Sequence, residues 1–348
     1  MTNSSNSAAV APAELPPDAQ LMQLVSGAFV SAAVYSAAKL GIADLLAGGP
    51  KTAAELAIET EMHEHSLYRL LRSLASVGAF QEVAPCTFAN TPMTETLRSD
   101  APRSTRDLTI WMGEPEHWKV YGELLYSVRT GKPAWDHVHG QPVFPYLFET
   151  NKELGEIFNR AMTSYSHQSI GPVLEAYDFS KAKTIADIAG GHGHLLASVV
   201  AANREARGIL FDLPPVLKGA PQMMDSYGVA DRVDLVEGDF FSEIPVTADI
   251  YMLKHIIHDW YDDSNQKILR NIRANMPEDG KVLIIEVVVP EGNVPHFSKI
   301  IDLEMLISSG GIERTPAEFE RLLADSGFKM TRIIPTQGLM SIVEAVKA

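Results

Sequence analysis

Apolar residues recur at helical spacing through the first third of the chain. Leu21, Leu24, Val25, Ala28, Ala32 and Tyr35 form one stripe, which Gly41 breaks. A second helix is predicted behind Thr52, whose partner Glu55 three residues on completes a capping box. A third runs from Glu64 to Val77 with Leu67, Leu70, Leu71 and Leu74 on its face, and stops at Gly78. Phe80 to Phe88 reads as a hairpin closed by Thr91-Pro92. Three helices and a small β-wing predict a winged-helix-like module over residues 21–102. Residues 1–20, rich in Ser, Ala and Pro, read as a loose, disordered arm.

From residue 103 to 180 the pattern is again helical and dense in aromatics, among them Trp111, Trp118, Tyr121, Trp135, Phe144, Phe148, Phe158 and Tyr165. Such density builds a core, and it also builds a flat slot for a ligand. From 181 to 348 the period alternates between strand and helix. Strands are predicted at 184–188, 208–211, 233–236, 249–253, 282–289, 331–335 and 340–346, with helices such as 264–275 and 316–326 between them. That alternation means an α/β fold with a doubly wound, mostly parallel, seven-stranded sheet, Rossmann-like. The last two strands, joined by a turn near Gly338, should form an antiparallel hairpin at its edge.

Composition narrows the function. Of 348 residues, 46% are hydrophobic and 21% charged, an ordinary globular balance. The net charge of −15 repels phosphate backbones, so no nucleic-acid partner is expected. This weakens the DNA-reading role, and the ligand-responsive regulator, that a winged helix would otherwise invite. The single cysteine, Cys86, fits a reducing cytoplasm. Residues 1–20 lack the basic and apolar regions of a signal peptide, and no apolar run is expected to reach the length of a membrane span.

The chemistry begins at Asp187-Ile188-Ala189-Gly190-Gly191-His192-Gly193-His194, a glycine turn between a strand and a helix. It is not the dinucleotide fingerprint, because Leu196 stands where the third glycine belongs. Asp187 at the strand end points to a cationic or amino-bearing ligand. Asp212, twenty-one positions after Gly191, suits a ribose diol, and Asp239 ends the following strand. Acids after three successive strands suit a nucleoside with an amino-acid tail, as in S-adenosylmethionine. A solvated strand-end acid is the alternative for any one of them. His192 and His194 read as loop residues lining that site.

A second cluster leaves the fourth strand as Met252-Leu253-Lys254-His255-Ile256-Ile257-His258-Asp259-Trp260. In open α/β sheets ligands bind beyond the carboxyl ends of the strands, which is where His258 falls. Glu286 lies inside an apolar strand, where a carboxylate needs a partner, and Glu313 in a glycine turn before the last helix. One histidine with two carboxylates makes a general base with orienting partners. Metal binding by His255, His258, Asp259, Asp262 and Asp263 is the rival, but those acids look like a solvated helix start, and no metal is expected.

With these residues in place, the chain resembles the S-adenosylmethionine-dependent O-methyltransferases that include the caffeic acid and acetylserotonin enzymes and many bacterial small-molecule members. The motifs are Asp187-x-x-Gly190-Gly191-x-Gly193, Phe211-Asp212-Leu213-Pro214, Gly238-Asp239-Phe240, Leu253-Lys254-x-x-x-His258-Asp259-Trp260 and Gly311-x-Glu313-Arg314-Thr315. The resemblance implies a class I methyltransferase fold behind a helical dimerisation domain, and a homodimer. It implies that Gly190, Gly191 and Gly193 face the methionine part of the cofactor. Asp212 would hold the ribose, Asp239 and Phe240 the adenine, with Asp187, Leu213, Lys254 and Ser166 also touching the cofactor. His258 would be the base, with Glu286 and Glu313 holding its ring. Trp111, Met112, Phe158, Met162, Tyr165, Asp259 and Met305 would line the pocket of a small aromatic, hydroxyl-bearing acceptor. Methyl transfer to nitrogen or sulfur, or a non-methylating reaction assisted by the same cofactor, are the alternatives on this fold.

Overall fold

The structure, a computed structural model, describes residues 15–348 apart from the side chains of 167 and 168. It divides into two compact units that meet in sequence between Glu114 and Pro115, twelve residues beyond the boundary expected at 102/103. Most of the expected arm lies outside the described residues. Its last residues do not behave as an arm: a helix starts at Pro17 and runs to Lys39, because Pro fits a first helical position and Asp18 suits the first turn. This Pro17–Lys39 helix also corrects a second expectation. By length and composition alone it is apolar enough to cross a membrane.

In the first unit, Ala53–Thr60 starts with the expected capping box of Thr52 and Glu55, and Glu64–Ser76 follows. Leu56, Leu67, Leu71, Leu74, Phe80 and Phe88 form the core with Ala37 and Ile42. The hairpin of β2 (Phe80–Ala84) and β3 (Thr87–Asn90) gains a strand the sequence did not announce, β1 (Lys51–Thr52), too short to show alternation. One face of the first helix stays uncovered. Leu24 is 79% exposed and Phe29 77%, with Leu21, Met22 and Val25 also open.

The second unit is built on a sheet of β4 (Thr184–Ile188), β5 (Arg207–Asp212), β6 (Val233–Glu237), β7 (Ile250–Lys254), β8 (Lys281–Val287), β9 (Phe328–Pro335) and β10 (Met340–Lys347). Its order is β6-β5-β4-β7-β8-β10-β9, parallel except that β10 runs antiparallel to both neighbours. All seven predicted strands are present, with ends displaced by up to three residues. Both faces are covered, so alternate residues serve opposite cores. Ile250 and Met252 pack with Ile185, Leu210, Leu283 and Ile285; Tyr251 and Leu253 pack with Ile188, Phe211, Val282 and Ile284. This is why the strands read as continuous apolar runs. The chain moves outward from β4 through β5 to β6, then returns to β7 on the other side of β4. At that reversal the loops after β4 and β7 diverge and leave a crevice.

Candidate active site

The glycine turn forms one wall of the crevice. Gly191 (φ 64°) and Gly193 (φ 79°) take the left-handed conformation that favours glycine. A Cβ on Gly190 would come within 2.5 Å of the Asp187 carboxylate, so the turn closes tightly over the strand end. The helix His194–Ala202 starts at Gly193, which has no side chain to cap it, and the Asp187 carboxylate accepts the Leu196 amide of its first turn.

Asp187, Asp212 and Lys254 converge here. Asp212 accepts the Gly191 amide at 2.8 Å and the Leu213 amide at 2.7 Å, which holds the turn to the next strand. Burial pushes the Asp187 carboxyl up, to about 7, against the opposing charge of Lys254 and with the help of Asp212. Burial likewise pulls Lys254 down to about 8, with Asp187 opposing. Beyond β6, Asp239 is exposed and folds back on the Phe241 amide at 2.9 Å. Phe240 stands edge-on to Phe241 and Trp260, and Leu213 is exposed. The two turn histidines separate: His192 packs on Gly219 beside Asp212, whereas His194 is hydrogen-bonded to the Tyr227 hydroxyl and serves helix packing.

Opposite, β7 ends in a tight turn that presents His258. Its Nδ1 lies 2.8 Å from Glu313 Oε1, and its Nε2 lies 3.7 Å from Asp259 Oδ1. Glu313 itself is fixed by its amide, which donates to Asp302 Oδ1 at 2.8 Å. Glu286 does not hold the ring, as had been expected. Its Oε1 accepts the backbone amides of Ile256 (3.1 Å) and His258 (3.0 Å), so it anchors the turn instead. The reason is reach: a residue within β8 meets the start of the turn, not the ring that projects from it. Burial opposes protonation of His258, but Asp259, Glu313 and Glu286 overcome it and raise the imidazole to about 10. Burial raises Glu286 to about 7. His255 lies between Tyr165 and His258, with ring centroids 5.1 and 5.2 Å away. Its buried Nε2 has no hydrogen-bond partner, and burial together with Lys254 and His258 keeps it well below the usual histidine range.

Two acids of the rival metal set are spoken for. Asp262 receives Arg314 at 2.7 Å, and Asp259 lies against His258. Among the described residues no group of three His, Cys, Asp or Glu is arranged to hold a metal ion.

Phe158, Met162, Tyr165 and Ser166 share the helix Lys152–Ala176, all half-buried. Phe158 meets Phe144 and Phe148 edge to face. Met305 is half-buried on the helix Ser298–Ser308. Trp111, buried, and Met112 belong to the first unit, on the helix Arg106–Gly113. Sequence reasoning gave no role to Asp302, Asn265 or Arg314. Asn265 is buried and donates to the Ile257 and Trp260 carbonyls, both at 2.8 Å. Only Arg314 had a signal, its place in the last motif.

Comparison with known proteins bears on this geometry. Residues 121–329 match the O-methyltransferase domain model and residues 22–100 the O-methyltransferase dimerisation domain. The phenazine O-methyltransferase PhzM of Lysobacter antibioticus is 44% identical over 93% of this chain and 95% of its own. The 8-amino-8-demethylriboflavin N,N-dimethyltransferase of Streptomyces davaonensis is 36% identical over 90% and 91%. The structure of CalO1, a methyltransferase in calicheamicin biosynthesis solved in its SAH-bound form, superposes with a TM-score of 0.87 at 34% identity, covering 96% of this chain and all of that one. The chain belongs to the O-methyltransferase family and carries that family's dimerisation domain.

One test follows from Glu286. Its raised carboxyl favours the fold fully below the usual value of 4.5, and that contribution is lost as pH rises through about 7. Glu286→Gln keeps an acceptor oxygen and removes the buried charge. It should unfold at a higher temperature than the parent at about pH 8, with the difference closing near pH 5. Equal melting temperatures at both pH values would show that the carboxylate is not the destabilising group.

Proposed function

We propose that this enzyme transfers a methyl group from S-adenosylmethionine to a hydroxyl of a small planar, conjugated acceptor, with His258 as general base. The observation that carries the reading is the His258–Glu313 pair just beyond β7, at the sheet's switch point beside β4. The residues present suit the cofactor. The buried Asp187 beside the helix start fits its amino-acid tail, Asp212 retains lone pairs for a ribose diol, and Leu213 and Phe240 offer apolar surface to a base. When bound, the cofactor supplies an electrophilic methyl group on a sulfonium.

The protein's contribution concerns the acceptor proton. A phenol with a pKa of ~10 is mostly protonated at neutral pH, a shortfall of about three units or roughly 4 kcal/mol. Glu313 takes the Nδ1–H of His258, which leaves Nε2 to accept the hydroxyl proton as the oxygen becomes nucleophilic. The carboxylates raise His258 to about 10, which favours a proton on both ring nitrogens before an acceptor binds. The Nε2 proton must leave to solvent before that nitrogen has a lone pair to accept the hydroxyl's own proton, while Nδ1 keeps its proton against Glu313. Rate at limiting substrate should therefore rise with pH from neutrality. Phe158, Met162, Tyr165 and Met305 would clamp the ring. The phenazine and riboflavin in two relatives' names are flat fused-ring systems, in keeping with such a slot. N-methylation, named for the second of them, remains the second reading. The oriented base favours a hydroxyl, since a neutral amine is nucleophilic without prior deprotonation.

Three measurements test this proposal. His258→Ala should lower turnover by ~10² to 10⁴ on a hydroxylated aromatic panel read by product mass, and the deficit should shrink in alkaline buffer. Undiminished turnover would remove the base from His258. In calorimetry, Asp212→Ala should weaken S-adenosylhomocysteine by about 1.5–3 kcal/mol for each charged hydrogen bond lost; unchanged affinity would displace the ribose assignment. We also propose that the uncovered face with Leu24, Val25, Ala28, Phe29 and Ala32 seats a second copy. Light scattering should then return twice the chain mass of 38.1 kDa, and a monomer mass would refute the pairing.

A further inference from the structure

Arg314 is only 2% exposed, yet it is a cation. Its Nη1 donates to the Ile257 carbonyl at 3.0 Å and the Ile312 carbonyl at 3.2 Å. Its Nη2 donates to the Trp260 carbonyl at 3.1 Å and to Asp262 Oδ1 at 2.7 Å, where Nε also reaches at 3.2 Å. Ile257 and Trp260 bracket His258, and Ile312 precedes Glu313. Every one of these bonds therefore ends on the turn that carries the base, on the helix start beside it, or on the loop that carries its orienting carboxylate. The Arg314 backbone is tied elsewhere, its carbonyl accepting the Val289 amide at 2.9 Å just beyond β8. The two loops also bond directly, Ile312 N to the His258 carbonyl at 2.8 Å.

We propose that Arg314 is a positioning residue for methyl transfer, its guanidinium locking the His258 turn against the Glu313 loop and so fixing the bond that orients the base. The proposal rests on the reading of His258 above. Only a planar fork can serve four acceptors on two loops at once; a lysine ammonium is a single point. Asp262 neutralises the charge but is itself half exposed, so the pair adds little stability by itself. What the arrangement provides is register between the loops. A merely structural arginine would, when changed, lower stability and cofactor affinity together and leave the surroundings of His258 as they were.

The test uses the full-length protein labelled with ¹⁵N-histidine. The His258 Nδ1 proton, identified by its absence from His258→Ala, should resonate downfield in the parent because Glu313 holds it. In Arg314→Lys that signal should be lost to solvent exchange, and the ring should titrate nearer the ordinary value of about 6.5. Turnover should fall roughly ten- to a hundredfold while cofactor affinity stays within about twofold, and the deficit should narrow in alkaline buffer, where the acceptor ionises unaided. An unchanged Nδ1 signal and an unchanged shape of the pH profile in folded Arg314→Lys would overturn the proposal, whatever the rate. If that variant does not fold, Asp262→Asn is read in the same way, with smaller changes expected and the same null result decisive. Normal turnover by His258→Ala would instead refute the base, while the resonance still judges the lock.

Discussion

Water is excluded from the end of β8, and a carboxylate placed there must find donors or surrender its charge. Glu286 does some of each. It draws in the amides of Ile256 and His258, and its other oxygen goes without a protein partner. Turning two nearby amides toward one oxygen demands a tight reversal directly after β7. His255 absorbs it at φ 58°, a conformation that non-glycine residues adopt only when their surroundings impose it. The reversal throws the ring of His258 outward, toward Glu313. The aim of the His258 ring thus traces back to the burial of one acid at the last-but-one position of a neighbouring strand.

The crevice is a place of opposed charges more than of strong ones. Asp187 and Lys254 are each driven by burial toward neutrality, and each restrains the other. Around His258 the balance goes the other way, because three carboxylates outweigh desolvation. A cationic methyl donor brought to this crevice would meet acids on both walls. The same acids favour the charged form of the imidazole.

Much of this was legible beforehand because it depends on local pattern. Continuous apolar runs with helical segments between them specify the sheet, and glycines with acids at strand ends specify where a ligand goes. The errors share a cause, which is that periodicity is silent about side-chain reach. Glu286 was recognised as needing a partner, but whether it would meet a ring or an amide depends on where β7 stops. Asp262 does open a helix, half exposed, as its acidic neighbours suggested; what the pattern could not show is that it is also the counter-charge of a residue fifty-two positions later. The strand Lys51–Thr52 is too short for any period, and the first helix begins ahead of its apolar stripe, on Pro17 and Asp18.

Gly311 has no side chain, and none could be accommodated: a Cβ there would fall 1.9 Å from the His258 carbonyl oxygen. Any single-base missense change in a glycine codon introduces at least that one carbon. That carbon would meet the backbone of both His258 and Asp259, so neither the Glu313 loop nor the histidine turn could keep its present path. Closeness of the two loops is thus written into the chain as the lack of a single atom.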